Sequence, residues 1–352
     1  MNLFLILVIV VTCVIFGWPI WYLAALRKNK HALWFIAPPV LFISLFGATR
    51  IFESEGSVLW YQILKPLSYY WLIIGMALFV FTVLGFATQK IFKISRSIIF
   101  YAIVGITFLT SMASYVNGQY VFVKEITLPA NHITRPYTFV HITDLHAGST
   151  GIRHAEKVVD MIQELPAEFV VITGDFIDEF FVGPENIAPF SLIENPIYLI
   201  TGNHEYDLPE GTLEKVLVGS PINLIDDTRV IEDELDIIGV NDLHAVDWVV
   251  SQVGGINPDR YTIILDHQPI TEEVHRASDL GADLMLSGHT HNGQIWPMGW
   301  LVSLRYKYVS GLYEIGDMFL YVNQGTGTLG PKMRFGTRNE ITLITLEPKP
   351  AQ

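Results

Sequence analysis

The chain has 352 residues, enough for a globular domain plus an accessory region, and a formal net charge of −13. Residues 1–118 hold eight Lys or Arg and two Glu, a balance of +6; by subtraction, the remainder holds 14 basic and 33 acidic residues, a balance of −19. Residues 119–352 therefore repel polyanions. Nucleic acid is not expected as a partner, and small or lipid-linked phosphates are favoured. The single cysteine, Cys13, excludes an intrachain disulfide.

Four stretches without charged residues come first, at residues 2–26, 32–49, 66–89 and 97–123. A transmembrane helix needs about 20 apolar residues, and each stretch is near or above that length. Pro38 and Pro39 indicate a kink or a re-entrant segment in the second stretch, while a signal peptide is the alternative for the first, which lacks a positive n-region. We therefore expect an all-α transmembrane region of about four helices over residues 1–118. The absence of ionisable groups from these stretches argues against a transporter.

The loops after the first and third stretches are strongly basic, with Arg27, Lys28 and Lys30 in one and Lys90, Lys93 and Arg96 in the other. The positive-inside rule places both loops in the cytoplasm. An even number of spans then leaves the rest of the chain on the extracytoplasmic face of the plasma membrane. If the segment with Pro38 and Pro39 does not cross, the orientation reverses or becomes ambiguous.

Residues 119–352 change to short Val- and Ile-rich runs that are typical of buried strands, separated by helical or loop segments. Helices are predicted at residues 153–164 and 271–277, which indicates a layered α/β domain. Strands are predicted at residues 137–142, 169–172, 197–200, 235–240, 261–265, 284–286, 319–322 and 341–346. Because ligands gather beyond the carboxyl ends of strands in such sheets, residues just after these runs are candidates for one shared site.

Five short segments combine carboxylates, imidazoles and one amide, the ligands that suit two divalent metals. Each ligand alone has a structural alternative: a carboxylate near glycine is often a turn residue, Asn203 could form an Asx-turn, and a lone histidine is usually structural. Together, in this order, they indicate a binuclear metal site. The segments are Asp144-Leu145-His146, Gly174-Asp175-Phe176-Ile177-Asp178, Gly202-Asn203-His204-Glu205, Asp266-His267 and Gly288-His289-Thr290-His291.

In order and spacing these segments resemble those of the calcineurin-like metallophosphoesterase superfamily, over residues 136–347. The continuation after His291, with Gly311-Leu312-Tyr313 and residues 334–346, is similar to a membrane-associated bacterial branch. The resemblance implies a central β-sandwich flanked by helices and two divalent ions, Mn, Fe, Zn or Co. It implies that one ion is bound by Asp144, His146, Asp175 and His291, and the other by Asp175, Asn203, His267 and His289.

His204 lies beside a predicted ligand without being one, so it can reach the substrate, protonate the leaving oxygen or stabilise phosphoryl charge. The resemblance implies that Asp178 orients His204. The alternative is that His204 orients a ligand instead. Glu205 could also orient a ligand, or form a surface salt bridge or cap; Arg334 and Arg338 could bind phosphate or be solvated.

Residues 295–313 follow the last predicted ligand and combine aromatic and basic side chains: Trp296, Trp300, Tyr306, Tyr308 and Tyr313 with Arg305 and Lys307. Such a mixture could dock at lipid headgroups or line an acyl-chain groove. Ordinary core packing explains the aromatic residues about as well.

The predicted function is hydrolysis of a phosphoester or pyrophosphate bond by a metal-bridging hydroxide, in a membrane-anchored enzyme whose substrate is lipid-linked or envelope-derived. The alternative is a membrane sensor or scaffold that binds metal or phosphate without turnover. A degenerate site would be expected to lose His204, Asp178 or a ligand. All are present, which favours the enzyme.

Overall fold

The computed structural model describes residues 13–27, 37–44 and 58–349. The chain forms two compact units, Met1–Val116 and Asn117–Gln352. In the first unit a π-helical turn, Cys13–Gly17, continues into the helix Trp18–Leu26, and residues 37–44 are helical. Two long helices follow, Val58–Phe92 and Arg96–Asn117.

Two helical segments, Tyr61–Phe92 and Arg96–Asn117, are long and apolar enough to cross a membrane. Residues 2–12 of the first predicted span, and 32–36 and 45–49 of the second, lie outside the described residues. The fourth uncharged stretch, residues 97–123, extends beyond its helix, which ends at Asn117, and a strand begins at Val121. Gly118, between this helix and the strand, has no room for a side chain, because a Cβ there would lie 2.5 Å from the carbonyl oxygen of Lys332.

Twelve strands make up the described part of the second unit's sheets. They are β1 Val121–Ala130, β2 Tyr137–Ile142, β3 Val170–Thr173, β4 Ile197–Ile200, β5 Ile222–Leu224, β6 Arg229–Glu232, β7 Leu235–Gly239, β8 Tyr261–Leu265, β9 Leu284–Ser287, β10 Gly311–Ile315, β11 Met318–Val322 and β12 Asn339–Pro348. The α-helices are Ala147–Thr150, Ile152–Gln163, Pro184–Ile187, Asn203–Tyr206, Thr212–Leu217, Val246–Gln252, Thr271–Leu280 and Met298–Val302. Short 3₁₀ turns occur at Ala188–Leu192 and His291–Gly293.

The strands form two six-stranded sheets, in the order β1-β12-β2-β3-β4-β5 and β10-β11-β9-β8-β7-β6. Strands β2, β3, β4 and β5 run parallel in the first sheet, as do β7, β8, β9 and β11 in the second. Apolar side chains of both sheets share one buried cluster, including Phe139, Val171 and Ile263, so the sheets pack face to face.

The outer face of each sheet is covered by helices. Val140 and Ile172 of the first sheet pack with Val158 and Val159 of the helix Ile152–Gln163. On the second sheet, Ile264 and its neighbours pack with the helices Val246–Gln252 and Thr271–Leu280. Central strands buried on both faces read as continuous apolar runs, which is why the sequence marks them clearly. The predicted α/β sandwich flanked by helices is confirmed.

Candidate metal centre

The predicted ligands converge because they follow the carboxyl ends of parallel strands. Asp144 comes two residues after β2, Asp175 two after β3, and Asn203 three after β4. In the second sheet, His267 and His289 each come two residues after their strands, β8 and β9. Since the carboxyl ends of neighbouring parallel strands share one edge of a sheet, these side chains meet there.

The backbone at this edge is strained at the predicted ligands themselves. Five non-glycine residues there have left-handed φ values between 48° and 69°: Asp144, His146, Asp175, His289 and His291. Each such residue costs on the order of 1–3 kcal/mol and persists only where the surrounding structure enforces it, commonly at functional sites. The local geometry therefore marks this edge as a functional site independently of residue type.

Two glycines before predicted ligands are required by close approach of neighbouring loops. A Cβ at Gly202 would lie 2.4 Å from Oδ1 of Asp175, and one at Gly288 would lie 2.4 Å from Oδ2 of Asp144. Any side chain at either position would push apart two loops that carry predicted ligands. The Gly-Asn and Gly-His pairs in the sequence thus have a steric cause.

The first ligand group consists of Asp144, His146 and His291. Nε2 of His291 lies 3.2 Å from Oδ1 of Asp144, and the Nε2 atoms of His146 and His291 are 3.1 Å apart. Nε2 of His146 is 3.9 Å from Oδ1 of Asp144. All three side chains are buried, so their donor atoms face one another in a small, dry space.

The second ligand group consists of Asp175, Asn203, His267 and His289. Nε2 of His267 lies 3.2 Å from both Oδ2 of Asp175 and Oδ1 of Asn203, and 3.3 Å from Nδ1 of His289. The same Oδ2 of Asp175 is 3.9 Å from Nε2 of His146 in the first group. Asp175 thus stands between the groups, where one carboxylate can serve both.

The chemistry of these donors fits divalent cations. Two imidazole nitrogens only 3.1 Å apart, as in His146 and His291, need a proton or a cation between them. Oδ1 of Asp144 is buried and has no hydrogen-bond partner among the described residues. Donor atoms of three residues lie within 4.8 Å of one another in three sets: Asp144, His146 and His291; Asp175, His267 and His289; and His146, Asp175 and His204. Oδ2 of Asp144 accepts hydrogen bonds from the Thr143 hydroxyl and the backbone N–H of His289. The buried Oδ1 is left for a cation to compensate.

The electrostatics favour ionised carboxylates beside these histidines. Burial alone would raise the pKa of Asp144, but His291, with smaller contributions from His267 and His146, holds it well below its usual value. Burial, assisted by nearby His267, lowers the pKa of His289 to about 4. Against the effect of burial, Asp178 raises the pKa of His146 to about 9, and Asp175 raises that of His267 well above its ordinary value. A neutral imidazole and an ionised carboxylate are the forms that bind metal, so metal binding would release a proton from each of these two rings.

Asp178 contacts His146 rather than His204. Its Oδ2 lies 3.4 Å from Nδ1 of His146 and accepts a hydrogen bond from the Ser149 hydroxyl, while its Oδ1 accepts from the backbone N–H groups of Gly148 and Ser149. Among the described residues, no hydrogen bond joins Asp178 to His204. The predicted orientation of His204 by Asp178 is therefore absent from this geometry.

His204 is half-buried and packs edge-on against His146, with ring centroids 5.0 Å apart. Its backbone N–H donates to Oδ1 of Asp175 at 2.9 Å, which ties its position to the shared carboxylate. Burial lowers the pKa of His204 below the ordinary value. With Asn203 and His289, it forms the half-exposed side of an otherwise buried cluster, so this is the side from which a substrate can enter.

Glu205 joins, by hydrogen bonds, the loops that carry Asp175 and Asn203 of the second ligand group. Its carboxylate accepts hydrogen bonds from the backbone N–H groups of Asp175, Ile177 and Gly202 at 2.8–3.0 Å. Burial and the charge of Asp175 raise the pKa of Glu205 to about 8. Of the three interpretations from sequence, the surface salt bridge is excluded, because Glu205 is buried and makes these main-chain bonds instead.

Arg334 is also buried, which excludes a solvated side chain. Its guanidinium donates to the carbonyl oxygens of His291, Gln324 and Gly327 and to Oδ1 of Asn339. Burial lowers its pKa to about 9. Arg334 therefore stabilises the loop that carries His291 by hydrogen bonds to its backbone. It is not exposed for phosphate binding.

A chain of hydrogen bonds that the sequence did not indicate supports His289. The Gln268 amide donates to the Asp242 carboxylate at 2.9 and 3.1 Å, so its oxygen accepts from the Tyr306 hydroxyl at 2.8 Å. That hydroxyl oxygen is then free to accept from Nε2 of His289, also at 2.8 Å. The tautomer thereby selected leaves the lone pair of Nδ1 directed at His267 and the second ligand group.

Replacing Tyr306 by phenylalanine should weaken binding of one of two metal ions by about 10–100-fold, because the support of His289 is lost while the ring remains. Competition with a chromophoric chelator would measure both affinities. Tyr308→Phe is the matched control, since Tyr308 is buried two residues away and its hydroxyl contacts His275 instead of a predicted ligand. Equal affinities in wild type and Tyr306→Phe would contradict this role.

The β-sandwich, with its His, Asp and Asn cluster at the carboxyl ends of the strands, defines the metallophosphoesterase class of domain. Residues 137–293 match the family model of the calcineurin-like phosphoesterases, and the chain thus carries a domain of that family. An uncharacterized metallophosphoesterase of Campylobacter jejuni is 31% identical over 251 residues, which cover 64% of this chain and 63% of that protein.

A transmembrane protein with metallophosphoesterase domain from Bos taurus is 31% identical over 236 residues, covering 60% of this chain and 53% of that protein. The matched regions therefore span less than two thirds of either relative. Among solved structures, a phosphopantetheinyl hydrolase of Mycobacterium tuberculosis aligns with a TM-score of 0.38 and 11% identity, over 57% of this chain and 92% of that one.

Proposed function

We propose that this protein is a membrane-anchored phosphoesterase that uses two divalent metal ions. The observation that carries the proposal is the position of Asp175, whose Oδ2 lies 3.2 Å from His267 and 3.9 Å from His146, between two groups of buried donors. Two ions a few ångströms apart need a shared anionic ligand, and this carboxylate supplies one.

In this proposal, Asp144, His146, Asp175 and His291 hold one ion, and Asp175, Asn203, His267 and His289 hold the other. When bound, such ions polarise a phosphoryl oxygen and lower the pKa of water toward neutrality. The chain's contribution is to fix these ligands on strained loops and to join the loops through the hydrogen bonds of Glu205. Asp178 orients His146, and the hydrogen bonds through Tyr306 orient His289.

His204 acts on the substrate. It lies on the half-exposed side of the cluster, beside the loop of Asp175, and its pKa is lowered by burial, so a neutral ring offers one N–H at neutral pH. That N–H can donate to a phosphoryl or leaving-group oxygen as charge develops there.

Membrane anchorage is supported by the two long apolar helices, by the basic residues Lys90, Lys93 and Arg96 where these helices meet, and by the description of the bovine relative as a transmembrane protein. The loop charges favour an extracytoplasmic catalytic domain. Anchorage makes a lipid-linked or envelope-derived phosphate a suitable substrate, and membership of a membrane-associated bacterial branch stays a prediction.

The purified full-length protein should hydrolyse a generic phosphodiester such as bis(p-nitrophenyl) phosphate only when supplied with Mn, Fe, Zn or Co. Removal of metal with a chelator should abolish activity, and re-addition of one of these ions should restore it. A panel that includes monoesters, pyrophosphates and lipid-linked phosphates would then define the substrate. Stoichiometric metal binding without turnover of any of them would instead support a sensor or scaffold.

A further inference from the structure

An exposed apolar patch lies just after the last predicted ligand. Trp296, Trp300, Leu301 and Leu304 are 64%, 71%, 47% and 74% exposed, respectively; these four residues are called the Trp300 patch below. The helix Met298–Val302, which carries two of them, has no buried residue. Large apolar side chains grouped in this way typically mark an interaction surface.

The two interpretations of residues 295–313 each hold for a different part. Tyr308 is buried and packs in the outer core of the second sheet, with Tyr313 against it. Trp296 and Trp300 do not pack in this way and project to the surface. Core packing therefore explains the side chains of Tyr308 and Tyr313. It does not explain the exposed side chains of Trp296 and Trp300.

The patch is held in place by main-chain contacts. The backbone N–H of Trp296 donates to the carbonyl of Phe335 at 2.7 Å. A Cβ at Gly293 would lie 2.1 Å from the backbone nitrogen of Gly299, so the turn before the patch is tightly packed. The exposed side chains thus stand on a fixed support, which reduces the entropy lost when they bind.

Charge indicates what the patch binds. Without the buried Arg334, residues 284–339 contain four basic and two acidic residues, a balance of +2, whereas residues 119–283 contain eight basic and 29 acidic ones, a balance of −21. Arg305 and Lys307 are exposed and directly follow the patch. Exposed tryptophan and leucine beside basic residues suit the headgroup region of an anionic bilayer.

We propose that the Trp300 patch inserts into the surface of an anionic phospholipid bilayer, as a second membrane contact in addition to the apolar helices. Tyr306, two residues after Leu304, contacts the predicted ligand His289, so the contact places the metal centre beside lipid headgroups. Docking itself does not depend on turnover; only the conclusion that it presents a lipid-borne phosphate for hydrolysis rests on the proposed function.

The test uses the full chain with Cys13→Ser and one new cysteine carrying an environment-sensitive nitrobenzoxadiazole dye. Leu304→Cys and, separately, Trp300→Cys report on the patch. Val218→Cys is the matched control, since Val218 is an apolar residue with 73% exposure in the acidic part of the domain. Each labelled protein is reconstituted into phosphatidylcholine vesicles with or without phosphatidylglycerol.

In phosphatidylglycerol vesicles the dye at either patch position should emit at shorter wavelength and show several-fold less quenching by iodide than the dye at residue 218. Arg305→Glu with Lys307→Glu should reverse this protection. Equal quenching at the patch and control positions would overturn the proposal, as would patch protection that is equally strong in phosphatidylcholine vesicles without phosphatidylglycerol. Since no result depends on hydrolysis, docking and catalysis can fail separately.

Discussion

Replacement of Asp175 by asparagine should reduce metal-dependent phosphodiester hydrolysis by about 10³-fold. Metal ions contribute several kcal/mol of transition-state stabilisation, and each 1.36 kcal/mol corresponds to about a tenfold change in rate. Oδ2 of Asp175 lies 3.2 Å from His267 and 3.9 Å from His146, one histidine of each ligand group, so its loss should weaken binding of both ions together. Elemental analysis of the purified variant should show less than the wild-type metal content.

This substitution separates chemistry from folding. Asn retains an Oδ1 that can accept the backbone N–H of His204, which Asp175 accepts at 2.9 Å, so the loop geometry should persist. In the metal-free protein His267 and His146 hold the pKa of Asp175 below its usual value against the effect of burial, so the ionised carboxylate stabilises the fold and its loss should lower the melting temperature. The far-ultraviolet circular dichroism spectrum should stay that of the wild type, which would show that the fold is retained.

Asp283→Asn is the control for Asp175→Asn. Asp283 accepts a hydrogen bond from the backbone N–H of Thr262 at 2.8 Å and precedes β9, at the end of the strand opposite the metal centre. Its replacement should leave metal content and turnover unchanged. If Asp175→Asn kept wild-type turnover and two bound ions, Asp175 would not be the shared ligand. That result would contradict the proposed function.

The parts of the fold that the sequence predicted best are strands buried on both faces. The strand at residues 137–142 was predicted to the residue, because its apolar run reflects packing on both sides of the sheet. Strand β1 was missed: its apolar start continues the preceding membrane-like run, and it joins the sheet only through β12. Strands β5 and β6 are short and largely half-exposed, so they carry little periodic signal.

For the candidate site, the sequence likewise predicted one part, the ligand residues, and missed another, the contacts that support them. Residue types and their order were sufficient to nominate Asp144, Asp175 and the histidines, because metal ligation restricts chemistry strongly. Supporting contacts depend on tertiary geometry that spacing does not encode: Arg334 reaches the carbonyl of His291 from 43 residues away. In the sequence, Tyr306 is one of several aromatic residues in its segment. Only the structure shows that its hydroxyl lies beside His289.

His204→Gln should lower turnover by about 10²–10⁴-fold, the usual contribution of a positioned acid or hydrogen-bond donor, while both metal ions remain bound. The ring of His204 lies beside that of His146 but accepts and donates no side-chain hydrogen bond among the described residues, so its removal leaves the proposed ligands supported. The measurement is kcat with bis(p-nitrophenyl) phosphate alongside metal content by elemental analysis.

Asp178→Asn distinguishes the two roles open to Asp178. The contact with Nδ1 of His146 predicts that metal affinity falls by about 10–100-fold, the usual effect of losing a group that orients a ligand. A dyad with His204 predicts instead that metal affinity is unchanged and that kcat falls. Metal titrations of the two single variants and the double variant, each assayed at saturating metal, separate these effects.

At saturating metal, a dyad would make the double variant no slower than His204→Gln alone, because residues that act as one unit are strongly non-additive. Independent roles would make the two free-energy losses add. We expect Asp178→Asn to recover most of its turnover at saturating metal, since the structure places its carboxylate on His146 and the Gly148-Ser149 backbone. If excess metal did not restore turnover, Asp178 would act through His204 and not through His146. The two side chains would then have to come together when substrate binds.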